Sequence, residues 1–134
     1  MKILVIDDDP AMTDLLKLIL VSTDAEVYTA NSGVEGLKKI RDLSPSVVIL
    51  DLMMPDMDGW QITTEIRTFS SVPVMILSVI DNPGLVARAL DAGADDYLIK
   101  PAPRNVLVAH INNLTRRRNM VDTNASTLHL IGAV

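Results

Sequence analysis

Apolar residues fall in short unbroken runs along this chain. Ile3-Leu4-Val5-Ile6, Val47-Val48-Ile49-Leu50 and Val74-Met75-Ile76-Leu77 are apolar at every position, and each stops at a polar side chain. Runs this short, bounded by polar and turn residues, read as strands buried on both faces. Residues 2–6, 47–50 and 74–77 are assigned as strands on this ground, with 96–99 as another. Glu26–Thr29 reads as a shorter strand.

Between the runs the spacing becomes helical. Asp9 followed by Pro10 caps and starts one helix, with Met12, Leu15, Leu16, Ile19 and Leu20 as its apolar stripe. Ser32-Gly33-Val34-Glu35 has the form of a capping box. The helix behind it runs to about Leu43 on Val34, Leu37 and Ile40, until Ser44-Pro45 stops it. Gly59 opens a third helix, with Ile62 and Ile66 facing in, and Trp60 is expected to pack with it. Asp81-Asn82-Pro83 starts a fourth, and Ala92-Gly93 ends it. The fifth begins near Pro103 or Arg104 and carries Val106, Leu107, Ile111 and Leu114 on one side. It is expected to close at Arg116-Arg117-Arg118, where cations suit the helix dipole. Leu128-His129-Leu130-Ile131 reads as a candidate strand with no evident partner.

Strands alternating with helices five times imply a parallel sheet with helices on both faces. Right-handed crossovers leave few topologies. The expectation is an α/β, flavodoxin-like (βα)5 three-layer sandwich with strand order 2-1-3-4-5. That order sets strands one and three side by side at the switch point, where such sheets bind ligands. Asp7, Asp8 and Asp51 would then meet.

At 134 residues the chain makes one domain with a sizeable core, and 49% hydrophobic with 22% charged residues is ordinary for a globular protein. No apolar run approaches the roughly 18 residues of a spanning helix, so no membrane partner is expected. The absence of cysteine excludes a disulfide framework and thiolate metal sites, and fits a cytoplasmic protein. A net charge of −5 counts against nucleic-acid binding by this domain itself.

Each apolar strand ends in a group useful for phosphoryl chemistry: Asp7 and Asp8, Asp51, Ser78, and Lys100. Converging carboxylates repel one another and call for a cation. Oxygen ligands suit Mg²⁺ (or Mn²⁺), which typically takes one or two carboxylates plus phosphate oxygens. Lys100 would reach a phosphoryl oxygen as a point charge, and Ser78 would donate to another. A carboxylate nucleophile, a divalent cation, a lysine and a hydroxyl suffice for phosphoryl transfer.

With these residues stands Met54-Pro55-Asp56-Met57-Asp58-Gly59 after Asp51, then Gly93-Ala94-Asp95-Asp96-Tyr97 and Lys100-Pro101. In that order the set resembles the receiver (CheY-like) domain of two-component response regulators, over residues 1–118. The Gly-Ala-Asp-Asp-Tyr-Leu stretch and the Arg-rich helix end are most similar to receivers of OmpR/PhoB-type winged-helix regulators. The resemblance implies Asp51 as phospho-acceptor from a sensor histidine kinase or phosphotransfer protein. It implies a metal site of Asp7, Asp8, Asp51 and the Met53 backbone carbonyl, phosphoryl binding by Lys100 and Ser78, and a switch made of Ser78 and Tyr97. It also implies a cis Lys100–Pro101 bond and signalling through the face of helix four, strand five and helix five. Such a module catalyses only its own phosphotransfer and dephosphorylation. Residues 119–134 would be a tail or linker towards a separate effector domain, through which alone DNA would be bound.

Departures from the pattern stand beside it. Ala102 follows Lys-Pro where an aromatic is usual. Asn105 or Val106 and His110 stand where helix five carries an intersubunit Glu and Arg, which weakens the case for a homodimer through that face. Val79 replaces a small residue after Ser78. Met53 and Ile80 are apolar where they border the path of hydrolytic water, so slow self-dephosphorylation is expected. A pseudo-receiver that binds partners regardless of phosphate is the alternative, although no acidic residue and no lysine of the set is missing. A phosphatase of the haloacid dehalogenase type is disfavoured because Met53 holds the place of its second Asp.

Overall fold

The computed structural model describes residues 1–22 and 24–130, with side chains up to Arg117. Five strands, β1 (Lys2–Ile6), β2 (Glu26–Ala30), β3 (Val47–Leu50), β4 (Val74–Ser78) and β5 (Asp96–Ile99), form one parallel sheet in the order β2-β1-β3-β4-β5. The helices are α1 (Pro10–Leu20), α2 (Gly33–Leu43), α3 (Gly59–Arg67), α4 (Pro83–Asp91) and α5 (Arg104–Leu130). Because side chains alternate along a strand, each apolar run serves two cores. Leu4, Ile6, Val48, Leu50, Val74 and Ile76 pack with Ile40, Ile62, Ile66 and Ala89 of α2, α3 and α4. Ile3, Val5, Val47, Ile49, Met75 and Leu77 pack with Leu16, Leu20, Leu107, Ile111 and Leu114 of α1 and α5. The α/β sandwich expected from the alternation is therefore present, with the expected strand order.

Three local expectations are corrected. Leu15 and Val34 are exposed rather than core-facing. On α2 the buried residues are Gly33, Gly36 and Ile40. A Cβ at Gly36 would stand 2.6 Å from Ile6 Cδ1, so the glycines let the helix settle onto β1 and turn Val34 outward. Third, α5 does not close at Arg118. It runs 27 residues to Leu130, about 40 Å, because neither proline nor glycine interrupts residues 104–130. Residues 128–130 are thus helical and not a strand, while Ile131 lies outside the described residues, as does the side chain of His129.

The sheet's far side is braced by Arg67 at the end of α3. Its guanidinium donates to the carbonyls of Val72 (2.7 Å), Gly93 (3.0 Å) and Ser70 (3.3 Å) and pairs with Asp95 at 2.8 Å. Asp95 in turn accepts from the Val74 N–H. This fixes where β4 and β5 begin, and hence where Ser78 and Lys100 end up. Trp60 packs across α3 to α4, donating to the Leu85 carbonyl beneath the Arg88 guanidinium.

Candidate metal and phosphoryl site

Strand register assembles the site. Ile6 pairs with Leu50, and the Asp51 N–H donates to the Ile6 carbonyl at 3.0 Å, so Asp7 and Asp51 leave adjacent strand ends together. Ser78 pairs with Ile99, and the Lys100 N–H donates to the Ser78 carbonyl. One oxygen from each of Asp7, Asp8 and Asp51 lies within 4.8 Å of the others. A cation with oxygen bonds of about 2.1 Å spans that spacing directly or through one water, and an all-oxygen set suits Mg²⁺. The donors therefore fit the ion the sequence calls for.

Lys100 is the cation the structure holds there. Its Nζ sits 2.8 Å from Asp7 Oδ2 and 3.6 Å from Asp51 Oδ2, and all three side chains are largely buried. The Lys100–Pro101 bond is cis. Asp8 is exposed, and Asp7 also accepts from the Asp9 N–H. Burial raises the Asp51 pKa above its ordinary 3.8; the Lys100 charge opposes the rise and Asp7 adds to it. A carboxyl raised by folding stabilises the fold only at acid pH, and that contribution is lost as pH climbs through the folded-state value. The charged form of Asp51 therefore carries a cost that a second cation would relieve.

Ser78 is fully buried, and its Oγ accepts from the Ile80 N–H at 3.3 Å. The half-buried Tyr97 donates its hydroxyl to the Ile80 carbonyl at 2.6 Å. Burial raises the Tyr97 phenol; the Ser78 hydroxyl acts against this, and the Asp51 and Asp81 charges add to it. The loop after β4 is thus held between these two side chains. Val79 and Met53 stand exposed on the loops leaving β4 and β3, while Ile80 packs on the core.

The chain matches the response regulator receiver domain family over residues 3–112. It is a member of that family. This receiver is 35% identical over 125 residues to the transcriptional regulatory protein AfsQ1 of Streptomyces coelicolor, covering 93% of this chain and 56% of that protein. It is 38% identical over 130 residues to the transcriptional regulatory protein CpxR homolog of Haemophilus influenzae, covering 97% and 57%. A two-component response regulator from Clostridium difficile superposes with a TM-score of 0.85 at 31% identity, covering 89% of this chain and 98% of that one. The receiver spans about half the length of the curated relatives it matches. Those relatives are transcriptional regulators, the kinship that the Gly-Ala-Asp-Asp-Tyr stretch led one to expect. Among the described residues no helix is long and apolar enough to cross a membrane.

Around the receiver's acidic cluster stand two residues that sequence reasoning did not bring to it. Asn31 donates to the Asp7 carbonyl, and Asp56 accepts from the N–H groups at the start of α2. Asp56 reads as a loop residue in sequence, and Asn31 is 24 positions from Asp7. No motif spacing could have joined them.

Proposed function

We propose that this receiver takes a phosphoryl group onto Asp51 from a phosphohistidine of a partner kinase or phosphotransfer protein, in a reaction needing Mg²⁺ or Mn²⁺. An Asp51 oxygen forms the new P–O bond, the donor's P–N bond breaks, and the released imidazole takes a proton from solvent. The observation that carries this reading is one buried carboxylate flanked by two others and a lysine, all at strand ends. Asp7, Asp8, Asp51 and the Met53 carbonyl would hold the cation. When bound it would offset charge on the phosphoryl oxygens. Lys100 and Ser78 would bind the phosphoryl group. Ser78 and Tyr97, which bind the N–H and the carbonyl of Ile80 respectively, would carry the change to the α4–β5–α5 face.

Incubation with Mg²⁺ and acetyl phosphate tests this by intact mass. The parent should gain one phosphoryl group, and Asp51→Asn and metal-free samples none. A folded, Mg²⁺-supplied parent without adduct would favour the phosphate-independent binding module instead. The phospho-form should be long-lived, because neither exposed Met53 nor Ile80 can orient a water. Against a Met53→Asn, Ile80→Glu variant its lifetime should be about tenfold longer; equal lifetimes would refute that inference.

The receiver proper is taken as residues 1–118, with the continuing α5 leading towards an effector domain that would bind DNA. A homodimer through α4–β5–α5 gains no support from Asp96 and His110, which pair with each other within the chain.

A further inference from the structure

The corner between β2 and α2, residues 31–33, touches both carboxylate-bearing loops. On one side the Asn31 amide donates to the Asp7 carbonyl at 2.9 Å and to Thr13 Oγ1 at 3.1 Å, while the Asp7 N–H donates to Ala30. On the other side the Gly33 N–H donates to the Asp56 carboxylate at 3.0 Å, and the Val34 N–H follows at 3.3 Å. The contact is close-packed as well as polar. A Cβ on Gly33 would stand 2.9 Å from Met57 Cβ and 2.9 Å from Ile62 Cδ1.

We infer that Asn31 and Asp56 are positioning residues for the cation site: through this corner they hold the loop after Asp7 and the loop after Asp51 in fixed relation. This inference rests on the cation site put forward above. The loop from Leu52 to Asp58 contains Met53, whose carbonyl is one of the intended ligands; Leu52 and Met54 are buried in the core and Asp58 caps α3, while Met53 itself is exposed. Gly59 N–H bonds the Leu52 carbonyl at 2.9 Å, and Met53 N–H reaches Asp51 Oδ1 at 3.5 Å. If the Asp56 clamp is released, the loop gains conformational freedom that cation binding must remove, and affinity falls by that amount.

Asp56 shares the capping of α2 with Ser32, but it does so from a different loop. The first turn of α2 already has Ser32 as N-cap, accepting from the Glu35 N–H at 3.1 Å. Asp56 comes from another loop and adds a carboxylate at the positive end of the helix dipole. Burial disfavours its charge, but the N–H groups of Gly33, Val34 and Met57 outweigh that and hold its pKa below the ordinary value. It is therefore an ionised anchor at neutral pH.

The test compares Asp56→Ala, Asp56→Asn, Asn31→Ala and Ser32→Ala in the full chain. Mg²⁺ affinity is read by calorimetry, and stability by urea unfolding without metal. Asp56→Ala should weaken Mg²⁺ binding about tenfold, as loss of an outer-shell support typically does. Asn31→Ala should weaken it in the same direction, and Asp56→Asn, which keeps an acceptor oxygen, should recover most of the loss. Ser32→Ala removes a cap from the same helix without touching either loop, so it should lower the urea midpoint and leave Mg²⁺ affinity within about twofold. Equal Mg²⁺ affinity in Asp56→Ala and the parent overturns the proposal, as does an equal weakening in Ser32→Ala. Should Asp56→Ala not fold, Asn31→Ala and Asp56→Asn decide the question. A parent that takes up no Mg²⁺ removes the cation site itself, and the positioning role with it.

Discussion

Alanine at Gly59 is expected to cost about 2 kcal/mol of stability and to slow Asp51 phosphorylation. Two effects compete. A helical alanine gains up to about 1 kcal/mol over glycine. Against this, a Cβ at position 59 would stand 2.7 Å from the Asp51 carbonyl oxygen and the Leu52 Cα, and 2.8 Å from Leu52 Cδ2. Backbone atoms cannot step aside as a flexible side chain can, and overpacking of this kind costs about 3 kcal/mol. The collision wins, and one of the atoms it displaces is the carbonyl oxygen of Asp51, the proposed phospho-acceptor. Asp51 is tied to β1 through its N–H, so the strain would pass into the carboxylate cluster. Urea unfolding and the rate of adduct formation from acetyl phosphate measure the two consequences. Gly84→Ala is the control: the nearest atom to its Cβ is the Asn82 side-chain oxygen at 3.2 Å, and its effect should stay within about 0.5 kcal/mol. A Gly59→Ala protein as stable as the parent would show that the loop yields freely.

Lys100→Ala should produce the largest change in the metal-free protein. It removes the only charge within 4 Å that opposes Asp7 and Asp51 among the described residues. Leaving one side of a buried pair unmatched costs about 3 kcal/mol. The loss has a definite pH dependence. Lys100 restrains the rise of the Asp51 pKa, so without it that pKa climbs further above 3.8. A raised carboxyl destabilises the fold as pH rises through its folded-state value. The deficit should therefore be full near neutrality and close towards acid pH, where Asp51 is protonated. Saturating Mg²⁺ should restore much of the stability by binding the folded state. Transfer to Asp51 should nevertheless fall roughly 100-fold if, as proposed, Lys100 is the preorganised cation for the phosphoryl group. Unfolding curves with EDTA and with Mg²⁺, run from acid to neutral pH, separate these effects. Equal stability of variant and parent in EDTA would mean that the pair contributes nothing.

The outline of the site was legible because strand ends are. Each apolar run announces its own last residue, and a parallel sheet gathers such ends along one edge. Asp7, Asp51, Ser78 and Lys100 were found this way, and the register bears out their adjacency. The exposure of Leu15 and Val34 was not legible, because periodicity gives a stripe but not its centre. On α2 the centre was set by how closely Ile6 lets the helix approach. The length of α5 was misread because an Arg triplet looks like a helix end, although nothing after it breaks a helix.

By itself, then, the sequence determined the five strand–helix units and the polar groups at the strand ends, and it narrowed the sheet order to a few topologies. These follow from burial periodicity and from motifs that are local in the chain. Tertiary structure alone decided that Asn31 meets the Asp7 carbonyl, that Asp56 crosses 23 positions to the start of α2, and that Lys100 sits closer to Asp7 than to Asp51. Such contacts depend on the shape of a corner and on side-chain reach across strands. Residue spacing carries no record of either.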